Sequence, residues 1–329
     1  MKINSANNNI FVIGNGFDLD LGMMTKYSDF AQSSYWPFSD SPVDQGQLYS
    51  YLYQYKQNLE DIEKINWFDL EEALLNFATQ PERYTYSEES VKQDKICFLN
   101  LKSQFSEYLK DAQSKLENNK TNQTSINVLK AIQANGYFRN IYSFNYTDFF
   151  ALSKTYAYYT PKNIEYMHGS LTNDSIILGI NDKEKIARKY RFLFKSRSNF
   201  YNSNNLVEDL LNADECVFFG MSFGSIDSIY FEDFFNNVIN KAKDDKTTQK
   251  KNITIFTYNE ESRVSIMDNF DDMHIKMSEL YANAKFSFIT TQNIEEPLNK
   301  AKFDAFIRRL QNNSKAEHDR KVQSMANMF

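Results

Sequence analysis

NIFVIGNGFD, running from Asn9 to Asp18, is the stretch on which the fold turns. Asn9–Ile13 is a short apolar run rich in β-branched residues, which reads as a strand buried on both faces. It stops at Gly14–Asn15–Gly16, and the chain from Phe17 onward reads as a helix start weakened by Gly22. Glycines let the backbone turn sharply, and a helix start offers unpaired N–H groups to an anion such as pyrophosphate. The third glycine of a dinucleotide fingerprint is missing, and no acidic residue follows a clear second strand. Two readings therefore stand. The turn is an ordinary strand-to-helix connection, or Gly14, Asn15, Gly16, Phe17 and Asp18 contact a nucleotide.

Further along, Tyr142–Phe144, Ile164–Met167, Ile176–Leu178, Val217–Phe219, Ile253–Thr257 and Lys285–Ile289 read as short strands, several ending in polar or glycine residues. Helical patterns lie between them: residues 183–212, a helix from near Asp227, and Glu260–Phe270. Thr25 reads as the cap of a short helix. Strands alternating with helices predict a Rossmann-like α/β fold with a mostly parallel sheet. Ligands of such sheets gather at the carboxyl ends of the strands. The α/β core is expected over 1–45 and 136–295. Residues 46–135, helical in spacing through Tyr51, Tyr55, Leu59 and the segment NWFDLEEAL, form a large helical insertion, read as a cap or an oligomer surface. A C-terminal helical tail covers 296–329, with its helix around Ala301–Leu310.

Three further constellations carry chemistry. Asn145 follows a strand core, where its amide either holds a water or ribose hydroxyl or caps a helix beginning at Tyr146. His168, one of three histidines, follows another strand and precedes Gly169; it is either a proton-transfer group or a satisfied structural side chain. Gly220–Met221–Ser222–Phe223–Gly224–Ser225–Ile226–Asp227 has small residues that permit close approach of a ribose, with Ser222 and Asp227 as candidate contacts and helix capping as the other role for Asp227. Its Gly-x-Ser-x-Gly spacing lacks an ordered Asp–His pair downstream, which argues against a serine hydrolase.

Composition narrows the class. The 329 residues are 42% hydrophobic and 24% charged, with 28 Phe and 21 Tyr, enough for a packed core. Net charge is -6, and the lysines are scattered; a nucleic-acid track is not indicated, though a local basic patch is compatible with this. The two cysteines, Cys97 and Cys216, make neither a disulfide framework nor a thiolate metal site, and no metal is expected. No apolar run reaches about 18 residues. The opening MKINSANNN lacks a signal-peptide core, so a cytoplasmic protein without membrane attachment is expected.

The blocks IGNGFDLDLGMMTKYSDF, NWFDLEEAL, FNYTDFF, YMHGS and FFGMSFGSIDSIYF, in this order over roughly residues 10–235, resemble the AbiH family of bacteriophage abortive-infection proteins. Met23–Met24 stand where the family usually has leucine and proline, a departure in a turn. The resemblance implies antiphage defence and a phage-derived trigger or partner protein. The motif order is also distantly similar to sirtuin-like NAD-consuming domains. That similarity implies NAD as substrate or ligand, with Gly14, Asn15, Gly16, Phe17 and Asp18 beside the dinucleotide. Asn145 and His168 would then be catalytic at the nicotinamide ribose, and Ser222 and Asp227 would lie near the adenosine half. No four-cysteine zinc module is present, so NAD hydrolysis is favoured over deacetylation. Two alternatives remain: a module that binds or senses a nucleotide without hydrolysing it, and a metal-dependent nuclease drawing on Asp18, Asp148 and Asp227.

Overall fold

The computed structural model describes residues 8–38, 46–65, 69–116, 123–133, 137–158, 160–161, 163–224, 227–244 and 250–326. Asn66, Trp67 and Phe68 of the NWFDLEEAL block, and Ser225 and Ile226, lie outside the described residues. In chain order the elements are β1 (Asn9–Ile13), α1 (Asn15–Asp20), α2 (Tyr27–Ala31), α3 (Gln47–Asp61), α4 (Leu70–Thr79), α5 (Glu88–Ser114), α6 (Thr124–Gln133), β2 (Asn140–Ser143), α7 (Phe149–Ala157), β3 (Ile164–Tyr166), α8 (Leu206–Asn212), β4 (Glu215–Phe219), α9 (Glu232–Asp244), β5 (Asn252–Thr257), α10 (Glu260–Asp272), α11 (Met277–Asn283), β6 (Lys285–Thr290) and α12 (Pro297–Ala326). Among the described residues no helix is long and apolar enough to cross a membrane.

The six strands form one all-parallel sheet in the order β3-β2-β1-β4-β5-β6, which is the doubly wound order of a Rossmann-like fold. β1 is central, paired to β2 on one side and β4 on the other, and all five of its residues are buried. Strand alternation sends its side chains to two cores. Ile10 and Val12 join Cys216, Phe218, Ile253 and Ile255 beneath residues of α8–α11, including Leu210, Phe234, Phe235, Phe270 and Leu280. On the opposite face Phe11 stacks on Phe138, and Phe256 meets Phe306 of α12 edge-on. Parallel strands need such cover on both faces, and this is why their sequences read as unbroken apolar runs.

Polar residues end the elements. Asn259 caps α10, its side chain accepting from Ser262 N at 2.9 Å. Asn259→Ala is expected to lower stability by about 1 kcal/mol, read as a drop in the urea midpoint with an unchanged slope. Glu215, at the start of β4, is 2% exposed and is held by Tyr137 Oη at 2.5 Å and by Arg309 of α12 at 2.7 Å.

The chain divides into two compact units: Met1–Gly22 with Glu117–Met167 and Asn204–Phe329, and Met23–Leu116 with His168–Ser203. This division differs from the boundaries expected from the sequence. Residues 23–38 and 168–203 go with the helical unit, whereas α6 and α12 belong to the sheet unit, α6 packing on α1, α7 and α12. Within the helical unit, buried polar pairs fix the 168–203 segment. Asp94 accepts from Leu48 N at 2.8 Å and from Tyr190 Oη at 2.6 Å, and Lys195 Nζ lies 3.0 Å from both carboxylate oxygens of Glu71. Buried charges are tolerated when paired in this way.

Several local expectations are corrected. Ile176–Leu178 is buried but forms no strand, because Ile177 N turns back to His168 O at 2.7 Å. Residues 183–212 hold two short 3-10 turns, Arg188–Leu193 and Lys195–Arg197, and only α8 as an α-helix. Lys26, not Thr25, precedes α2 as its cap position; Thr25 is buried. The last helix, α12, begins at Pro297 and runs well past Leu310.

Candidate functional site

In the doubly wound sheet the connections reverse direction between β1 and β4, so the loops leaving these strands meet at the switch point. The glycines of both loops are spent on each other. A Cβ on Gly16 would lie 2.5 Å from Gly220 Cα, and one on Gly220, at φ +69, would lie 2.5 Å from Gly16 C and Phe17 N. Gly14 N donates to Phe219 O at 2.9 Å, Gly16 N to Gly220 O at 3.0 Å, and Phe17 N to Gly14 O at 2.9 Å. The glycines therefore permit contact of backbone with backbone, and the N–H groups of Gly14, Gly16 and Phe17 are already engaged. Asn15 is exposed at the turn. Phe17 is fully buried, edge-on to Phe149 and Phe219, and so serves the core.

One residue further, α1 carries Asp18 inward to 1% exposure. Thr147 Oγ1 donates to Asp18 Oδ2 at 2.8 Å, while Oδ1 is buried without a hydrogen-bond partner. Burial pushes the carboxyl pKa up from 3.8 to about 7, with Thr147 and then Asn145 opposing the shift. The influence of Asn145 falls short of a true hydrogen bond: its Nδ2 and Oδ1 are both buried and unpartnered. Asn145 is 6% exposed and sits between β2 and α7, its own N–H donating to Ser143 Oγ at 3.2 Å. It does not cap the following helix; Asp148 does so, accepting from Ala151 N at 3.0 Å. Two residues beyond Asp18, Asp20 accepts from Ser125 N at 2.7 Å, and burial raises its pKa as well.

Of the residues singled out from sequence, the structure thus brings Asp18 and Asn145 together at the carboxyl ends of β1 and β2. Ser222 and Asp227 lie on the loop after β4. Ser222 is exposed, with its Oγ accepting from Gly224 N at 3.4 Å, and Asp227 precedes a 3-10 turn without capping it through its side chain. His168 belongs to the other unit, where it is 6% exposed and followed by Gly169 at φ +72. Sequence reasoning missed Thr147, although it stands in the FNYTDFF block beside Asn145; its hydroxyl partner is 129 positions away.

Among the described residues no group of three His, Cys, Asp or Glu side chains is arranged to hold a metal ion, and Asp148 is taken by its helix cap. Cys97 and Cys216 are free and buried, and burial pushes both thiols up to about 12, so neither is a ready nucleophile.

The chain matches a family model described as bacteriophage abortive infection AbiH over residues 10–249. No curated protein and no solved structure matches it.

Proposed function

Because the chain belongs to the AbiH family of bacteriophage abortive-infection proteins, we propose that it defends the cell by cleaving the nicotinamide–ribose bond of NAD at the carboxyl edge of its sheet. The observation that carries this reading is the pair Asp18–Asn145: a buried carboxyl poised near neutrality beside an amide whose two polar atoms have no protein partner. Perturbed carboxyls and unpartnered buried amides concentrate where a ligand or reacting water completes the hydrogen bonding. The likeness to sirtuin-like domains rests on the order of sequence motifs.

In this reading the C1′–N bond breaks, and its electron pair goes to the pyridinium nitrogen. Nicotinamide leaves neutral and needs no acid. Water bonds to C1′ and gives its proton to the Asp18 carboxylate, which a pKa of about 7 leaves substantially ionised at neutral pH. Asn145 orients that water or a ribose hydroxyl, the kind of positioning that lowers the barrier only if held rigidly. The sequence resemblance alone gives His168, in the other unit, a catalytic role, which its own variant tests.

Purified protein incubated with NAD, with and without lysate of phage-infected cells, is expected to release nicotinamide. Asn145→Ala is expected to slow release by about 100-fold. His168→Ala is expected to slow it as well. Absence of release under both conditions rejects hydrolysis. Calorimetric binding of intact NAD in that case selects the nucleotide-sensing alternative.

A further inference from the structure

Within the helical unit lies a cleft of about 660 Å³ whose lining includes Lys95, Lys102, Arg188, Arg191 and Arg197, with no acidic residue among its walls. Local geometry accounts for this convergence. Lys95, Phe98, Leu99 and Lys102 recur at the spacing of one face of α5. Arg188 and Arg191 lie three apart in a 3-10 turn, where such residues eclipse. Lys95, Arg188, Arg191 and Arg197 are exposed and Lys102 is half-buried; none of the five enters an ion pair among the described residues. On a chain of net charge -6, an unneutralised cationic cleft is a local exception.

Aromatic surface accompanies the charge. Phe200 is 45% exposed, with Lys102 Nζ 5.9 Å from its ring centre, and Phe192 is half-buried in the same wall. A second cleft of about 710 Å³ shares Arg191, Phe194 and Arg197 with the first and adds Lys183, Lys185 and the exposed Tyr84, against Asp182 and Glu184. The two clefts adjoin at these shared residues, a track with more cationic and aromatic groups than a mononucleotide engages. Cations that follow a backbone, interleaved with rings on which bases stack, are the recognition chemistry of single strands.

We propose that this track binds single-stranded nucleic acid. It would act as a nucleic-acid sensor in the helical unit, and it stands independently of the NAD reading. Its test needs no NAD: fluorescence anisotropy of the full chain with a labelled single-stranded oligonucleotide of about 12 nucleotides. Binding is expected to weaken with salt, with a log–log slope near -0.7 for each phosphate neutralised. Arg191→Glu with Arg197→Glu is expected to weaken binding at least about tenfold and to flatten the slope by about 1.4. Lys95→Glu with Arg188→Glu, also exposed, should act in the same direction and guards against a single misfolded variant. Phe200→Ala is expected to weaken oligonucleotide binding about fivefold or more, while leaving the affinity for inorganic polyphosphate unchanged. The proposal is overturned by no binding at low salt, by equal binding of a duplex, by insensitivity to both charge reversals in folded protein, or by ATP competing as well per molecule as the oligonucleotide.

Discussion

Gly220→Ala is expected to destabilise the protein by at least about 3 kcal/mol, because two costs add at one atom. The position has φ +69, where an L side chain is strained, and the new Cβ would lie 2.5 Å from two backbone atoms of the facing turn, Gly16 C and Phe17 N. Neither can yield as a flexible side chain would: Gly16 N is hydrogen-bonded to Gly220 O, and Phe17 is anchored in the core. Urea unfolding measures the loss. Gly224→Ala is the control: a Cβ there meets only Ser222 Oγ, at 3.7 Å, and should change stability by less than about 1 kcal/mol. Equal midpoints for Gly220→Ala and the parent would refute the close packing of β1 and β4 loops.

Asp18→Asn is expected to make the protein more stable at neutral and alkaline pH. The carboxyl has a higher pKa folded than unfolded, so the folded state holds its proton more tightly. Its favourable contribution is complete below 3.8, falls as pH rises through the window from 3.8 to about 7, and is gone above it. About three pKa units correspond to roughly 4 kcal/mol. Asparagine imitates the protonated acid and keeps an acceptor for Thr147, so the variant should gain up to that amount above about pH 7 and lose the slope across the window. An unchanged stability profile between pH 4 and 7, as rough bounds, would show that Asp18 is not held near neutrality. If the stabilised variant also fails to release nicotinamide, the carboxyl is retained for reactivity at the expense of stability.

The parallel sheet was legible because doubly covered strands leave unbroken apolar runs, as in IFVI and CVFF. The same signal misled at Ile176–Leu178, where three buried apolar residues sit in irregular backbone. Periodicity cannot separate the two cases over so few residues. Gly14 and Gly16 were visible as a tight turn, but their partner Gly220 is about 200 positions away, and nothing local announces that two glycine loops touch. Asn145 and Asp18 were each visible as polar residues at element ends. That Asp18 is desolvated, and that Asp148 takes the capping role, depends on the packing around them. The basic cleft escaped the sequence because its cations come from α5 and from two 3-10 turns about 90 positions later, in a chain whose overall charge points the other way.

The central position of β1 has a consequence for biogenesis. Asn9–Ile13 leaves the ribosome well before its neighbours Asn140–Ser143 and Glu215–Phe219, which are about 130 and 200 residues later. At bacterial-type elongation speeds of roughly 5–20 residues per second, the second neighbour arrives some 10–40 seconds afterwards. For that interval a sticky pentapeptide has no permanent mate, and nascent chains are expected to aggregate more when translation pauses before Glu215.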